Sequence, residues 1–337
     1  QGKTALMLAI IRGNINIAKL IVERGADLNA KDNGAWTALM WAVYKGKTDI
    51  VKLLIEKGAD MNVKDDPPRD TAMRTVNKGE PYMTKLLIEK GADLNAKDNC
   101  KWTPLMWAID EGKTDIAELL IEKGADLNVK HGLEGRTALM HAISESKADM
   151  AKLLIEKGAD MNVKDKKQGT TALMWAASIN ETDVAKLLIE RGADWNVKDN
   201  NGWTSLMWAI REGEKHMAKL LIEQGADLNV KDNKRGMTAL MYAVSEGKED
   251  MAKLLIERGA DVNVKDDSPG KTVLMQAALK GGTDMVKLLT EKGADVNVKD
   301  DLLGETALMY AVKKGNVDMT KLLIEKGADL NLRDKNG

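Results

Sequence analysis

An all-α repeat solenoid is the fold class predicted by this chain of 337 residues. Three observations carry that reading. The stretch KLLIEKGADMNVKD at Lys52–Asp65 returns almost unchanged at Lys85, Lys152, Lys186, Lys219, Lys253, Lys287 and Lys321, and in edited form at Lys19 and Glu118. A threonine before an A-L-M-like triplet recurs at Thr4, Thr37, Thr71, Thr103, Thr137, Thr171, Thr204, Thr238, Thr272 and Thr306, with intervals of 33, 34, 32, 34, 34, 33, 34, 34 and 34. Between these landmarks every unit repeats a helix–turn–helix pattern followed by an extended finger, and self-similarity at such a period marks a stacked array. Residues 1–337 are therefore expected to form a single array of ten repeats rather than two or three separate domains.

The unit that opens at Thr37 shows how each element arises. Its first helix is TALMWAVYKG, with Thr37 as N-cap, apolar residues at helical spacing and Gly46 as the stop. The second helix opens on Thr48 and Asp49, both good cap types, and runs through IVKLLIEK to Gly58. Ile50, Leu53 and Leu54 form its apolar stripe, and Glu56 and Lys57 its wet end. ADMNVKDD then leads through a Gly- or Pro-bearing turn to the next threonine. A unit this small cannot bury its own apolar face, so its neighbours must complete the core. Neither terminal unit carries a polar replacement for that face, and an excerpt of a longer array, or an array capped by something else, is expected.

Composition excludes several function classes. Lys plus Arg is 51 against 52 for Asp plus Glu, a balance that gives no support for duplex-DNA or membrane-surface binding. No apolar run approaches the length of about eighteen residues that a membrane helix needs, and no charged-then-apolar leader opens the chain. The single cysteine, Cys100, suits a reducing compartment, so a cytoplasmic location is expected, an exported effector being the alternative.

The pattern D-x-x-G-x-T-x-L-x-x-A, then G, then D-I-V-x-L-L-I-x-x-G-A-D-x-N resembles the ankyrin repeat across the whole chain, with Gly58, Ala59, Asp60 and Asn62 in place. The resemblance implies a curved stack of antiparallel helix pairs with β-hairpin fingers at right angles. The shorter first helices and the fingers would line its concave face. Two departures stand out. Methionine replaces the family's histidine at Met7, Met40, Met106, Met140, Met174, Met207, Met241, Met275 and Met309, where it is expected to fill space. In the third unit TAMRTVNKGE is one residue short before Gly79, Met73 and Arg74 break the apolar spacing, and Pro81 falls in the first turn of helix two. With DDPPRD ahead of it, this degenerate unit is the expected weak point of the stack.

Catalytic and metal chemistry find no footing. His131, His141 and His216 pair neither with one another nor with Cys100 at a metal-ligand spacing. GKT occurs at Gly2, Gly46, Gly112 and Gly270, but the glycine of a phosphate-binding loop is missing each time; Trp41 and Lys265 stand in its place at two of them. No nucleophile–base pair emerges, so a non-enzyme without cofactor or metal is expected.

The aromatic residues point to binding. There is no phenylalanine, and nine of the twelve aromatics occupy two places in the unit. Four positions after the threonine lie Trp41, Trp107, Trp175, Trp208, Tyr242 and Tyr310; one position before it lie Trp36, Trp102 and Trp203. Tyr44 sits one helical step beyond Trp41, and His141 and Gln276 hold the helix place in their own units, which suits a polar-facing surface. One reading packs the rings sideways between repeats. The other makes Trp36, Trp41, Tyr44, Trp102, Trp107, His141, Trp175, Trp203, Trp208, Tyr242 and Tyr310 a row of partner-binding anchors, since Trp and Tyr are enriched in interface hot spots. Lys45, Glu111, Arg211, Glu212, Lys280, Lys313 and Lys314 would then tune partner choice.

The expected function is a non-catalytic scaffold that grips a protein or peptide in an aromatic-lined groove. The alternative is a small ligand or oligonucleotide in the same groove. WTALMWAVYKGK at Trp36–Lys47 resembles a segment of the ankyrin domains in 2′,5′-oligoadenylate-dependent ribonucleases, whose resemblance implies adenine contacts for Trp36, Trp102, Trp203 and Tyr44. Trp41 departs from that pattern, which has an acidic residue there.

Overall fold

The computed structural model describes residues 2–66 and 69–335. Among them twenty helices follow one another as ten pairs, a first helix of seven or eight residues and a second of nine. At nine first helices a threonine is the N-cap, its hydroxyl accepting the N–H of the methionine three residues on at 3.3–3.5 Å. The methionines do more than fill space. The sulfurs of Met7, Met174 and Met275 accept the N–H of their own cap threonine at 3.4 Å, so a thioether closes the reciprocal half of the cap.

The third unit is capped by Asp70 rather than Thr71. Asp70 Oδ1 accepts the Met73 N–H at 2.8 Å, and the helix begins at Thr71. The spacing from Thr37 to Asp70 to Thr103 is then 33 and 33. In this register Met73 joins the other methionines and is buried, as are Thr75 and Val76. Met73 therefore keeps the apolar spacing it was expected to break; Arg74 departs from it, and Ala72 and Thr75 replace the leucine and alanine of the other units. Pro81 stands at the first position of Pro81–Glu89, as its spacing predicts. Pro67 and Pro68 of DDPPRD lie outside the described residues.

The fingers are turns rather than β-hairpins. Among the described residues the only bridges are isolated ones, His131 with Arg136 and Lys265 with Thr272. The physical reason is that aspartate side chains satisfy the turn N–H groups that a strand ladder would otherwise need. The recurring G-A-D-x-N links one unit to the next. Asp60 Oδ1 accepts the Asn62 N–H at 2.8 Å, and Asn62 Oδ1 accepts the Asp93 N–H of the following unit at 2.9 Å. The same bond runs from Asn95 to Asp126 and from Asn229 to Asp261.

The chain forms two compact units, Gln1–Lys167 and Gln168–Gly337. Within each, first helices pack on first helices and second on second. Leu6, Ile10, Leu39, Val43, Ile50 and Leu54 fill the start of the first unit's core. Leu206, Ile210, Leu221, Leu240, Leu255 and Leu274 do the same in the second. Leu8, Ile17 and Leu20 on the first helix pair, and Val312, Val317 and Ile324 on the last, remain exposed. No helix among the described residues is long and apolar enough to cross a membrane.

Candidate functional site

The site is built from the finger upward. Asp32 Oδ1 accepts the N–H groups of Gly34 and Trp36 at 2.9 and 3.0 Å, and Oδ2 accepts the indole N–H of Trp41 at 3.0 Å. One carboxylate thus shapes the turn and fixes the ring nine residues on. Asp98 repeats this with Cys100, Trp102 and the indole of Trp107 at 3.1 Å, and Asp199 with Asn201, Trp203 and the indole of Trp208 at 3.2 Å. Where the helix place holds tyrosine the separation grows to ten residues, and the phenols of Tyr242 and Tyr310 donate to Asp232 and Asp300. Burial pushes the Asp232 carboxyl up, but the Tyr242 hydroxyl and the turn N–H groups outweigh it and hold it below the usual carboxylate range. Burial first, and then the bond to Asp232, pushes the Tyr242 phenol up.

The two aromatic places meet in space. Ring centroids are 4.6 Å apart for Trp36/Trp41, 5.2 Å for Trp102/Trp107 and 5.7 Å for Trp203/Trp208. Tyr44 joins the first pair at 5.5 Å from Trp36, and Tyr242 reaches back to Trp203 at 4.6 Å. Trp36, Trp41, Trp102, Trp107, Trp175, Trp203, Trp208 and Tyr242 are half-buried, while Tyr44 is 46% exposed. The rings are thus neither free-standing nor interleaved out of reach: the N–H or O–H of Trp41, Trp107, Trp208 and Tyr242 is tied inward while the residues stay half-buried.

Two members of the expected row differ. Tyr310 is 6% exposed and His141 7%, so both are buried. Gln276 is buried as well, and the wet surface expected from His141 and Gln276 is absent at those two residues. Tyr310 makes the same hydroxyl bond, to Asp300, that the half-buried Tyr242 makes to Asp232. His141 packs edge-on against Trp102 at 4.9 Å, and its Nε2 lies 3.1 Å from Asp110. In this unit His131 takes the finger place that aspartate holds elsewhere; its ring lies 5.5 Å from His141 and 5.4 Å from Trp102. Burial, reinforced by His141 and Arg136, pushes His131 down to about 4. Among the described residues no three His, Cys, Asp or Glu side chains converge as metal ligands. Lys45, Glu111, Arg211, Glu212, Lys280, Lys313 and Lys314 are all exposed.

Cations lie over the rings. Arg211 lies 4.1 Å from the Trp208 ring, Lys3 5.3 Å from Trp41 and Lys271 4.9 Å from Tyr310. Trp175, Trp208, Arg211, Met174 and Ser178 border a cleft of about 350 Å³ in the second unit. Sequence reasoning missed a counterpart in the third repeat. With Asp70 as cap, Arg69 falls in the finger-base place and Arg74 in the helix place, both held by tryptophan in the repeats on either side. Arg74 pairs with Asp65, the carboxylate equivalent to Asp32, and stacks 3.7 Å from Trp36, while Arg69 stacks 4.5 Å from Trp107. The uniform 33-residue spacing could have revealed them.

The family model for ankyrin repeats in sets of three copies matches residues 1–65, 72–165, 127–199, 173–266 and 264–334. No curated protein sequence matches the chain. Among solved structures, the ankyrin repeat domain of Bcl-3, a member of the IkappaB protein family, is similar at a TM-score of 0.60 and 27% identity. That likeness covers 66% of this chain and 99% of that one. Matching solved chains number 620, so the fold singles out no partner by itself.

Proposed function

The chain belongs to the ankyrin-repeat family, and from that premise we propose that it is a non-catalytic scaffold. It holds an extended protein segment against the first helices and finger bases. The observation that carries this is the clamped, half-exposed ring: Trp41, Trp107 and Trp208 each have the indole edge fixed by an aspartate and part of the ring open. A ring fixed beforehand loses little freedom on binding, which is what a hot-spot anchor requires. The cleft between Trp175 and Trp208 has room for one apolar or aromatic side chain of the partner. Tyr310 and His141, being buried, support their neighbours rather than touch the partner.

The oligoadenylate alternative is the weaker reading, because Arg74 and Arg211 already lie over the rings of Trp36 and Trp203, two of the residues it would use. Base stacking there would have to displace a guanidinium.

The test is to select peptides against the chain from a random library and measure acrylamide quenching of tryptophan with and without a selected peptide. Protection of tryptophan on binding supports the reading. Binding that leaves the tryptophans as accessible as before places the partner elsewhere and contradicts it. Short oligoadenylates should leave the fluorescence unchanged.

A further inference from the structure

The third repeat breaks the aromatic row with two arginines, and the break has a consistent chemistry. Arg69 and Arg74 lie between the Trp36/Trp41 pair of one neighbour and the Trp102/Trp107 pair of the other. Each guanidinium lies over an indole, Arg74 3.7 Å from the Trp36 ring centroid and Arg69 4.5 Å from that of Trp107. With Tyr44, Asn77 and Lys78 they border a small pocket of about 110 Å³, and among the described residues no carboxylate lines it. Lys78 is held over the Tyr44 ring at 4.6 Å and donates to the Tyr44 carbonyl; its nearest carboxylate, Glu80, is 4.0 Å away.

The donors are incompletely used. Arg74 gives one terminal nitrogen to Asp65, and its Nε–H is buried without a hydrogen-bond partner. Arg69 has no carboxylate within ion-pair distance among the described residues. A buried, unsatisfied guanidinium N–H is costly unless something accepts from it. Burial pushes the Arg74 guanidinium down to about 10.

Planar guanidiniums fixed by stacking are suited to an oxyanion with two acceptor oxygens. We infer that the Arg69–Arg74–Lys78 pocket is an oxyanion site that receives a carboxylate or phosphoryl side chain of the bound peptide. The inference rests on the peptide-binding reading above and adds a chemical requirement to it: the segment that lies on the first unit carries an acidic or phosphorylated residue. Asn77 and Tyr44 also line the pocket.

The test uses the whole chain and simple anions, so it does not depend on any peptide being found. Side-chain amide spectra of arginine are followed while inorganic phosphate, acetate or chloride is added at matched ionic strength. The Arg74 Nε–H resonance should shift saturably in the low-millimolar range with phosphate. Saturation with acetate too would admit carboxylate side chains, and saturation with phosphate alone would restrict the site to phosphorylated ones. Arg69→Gln, which breaks no ion pair, should weaken the response by about tenfold or more, and Lys85→Gln on an outer helix face should leave it unchanged. A shift that does not saturate, or one equal in Arg69→Gln and wild type, overturns the site while leaving the aromatic reading to stand or fall on its own test. An oligoadenylate that saturates the same resonance about tenfold more tightly than phosphate would replace the peptide with a nucleic acid and overturn the proposal as well.

Discussion

Trp107 donates its indole N–H to Oδ2 of Asp98 at 3.1 Å, across nine residues of chain. Oδ1 of the same aspartate accepts the N–H groups of Cys100 and Trp102. One side chain therefore sets both the finger turn and the direction of the Trp107 ring. Replacing Asp98 with alanine should cost about 2–4 kcal/mol, because three bonds to a charged acceptor are lost together. Trp107→Phe, which removes a single donor, should cost about 1 kcal/mol. Urea unfolding of both variants measures the ratio; equal costs would mean that the turn bonds contribute nothing.

Asp70 gives a prediction with a definite sign. Burial pushes its carboxyl up to about 6, against the Met73 N–H that one oxygen caps; the other oxygen has no partner. A folded value above the unfolded one near 3.8 means that the group's contribution is full below about 3.8 and is lost as pH rises through about 6. Asp70→Thr, restoring the cap used by the other repeats, should therefore stabilise the chain by on the order of 1–2 kcal/mol at neutral pH. The gain should vanish near pH 4, by the same linkage. Melting temperature against pH for both proteins tests it.

His131 tilts the other way. Its folded value of about 4 lies below the ordinary 6.5, so the unfolded chain binds a proton that the folded chain refuses. Stability from this group is present above about 6.5 and falls as pH drops toward about 4. His131→Asp, the residue that other fingers use, should flatten that acid-side loss. A melting profile below pH 6 that matches wild type would show that His131 is already protonated in the fold.

Among the described residues four non-glycine residues occupy the left-handed region, one of them Ser146 with φ of 54° at the place where Gly46 ends its helix. Ser146→Gly should stabilise by about 1 kcal/mol, because the Cβ strain is removed at no loss of packing. Denaturant midpoints read this directly, and a loss of stability would mean that the extra freedom of the unfolded chain outweighs the strain.

The repeat, both helices of each pair and the threonine caps were legible because each rests on local chemistry repeated ten times. The third repeat was misread for the same reason. Thr71 looked like the familiar cap, while Asp70, an equally good one, restored the regular spacing and carried Arg69 and Arg74 into the aromatic places. The clamps were not legible as a short motif, since Asp32/Trp41 and Asp232/Tyr242 are separated by nine and ten residues and joined only through the folded turn. Nor was the burial of Tyr310 and His141, since residues at the same place in other units, Tyr242 among them, stay half-buried.

The most direct test of the aromatic groove is the affinity of a selected peptide for Trp208→Ala. A hot-spot anchor should lose about 2 kcal/mol, or about 30-fold in Kd, with the circular dichroism spectrum unchanged. A folded variant that binds the peptide as tightly as wild type would contradict the account.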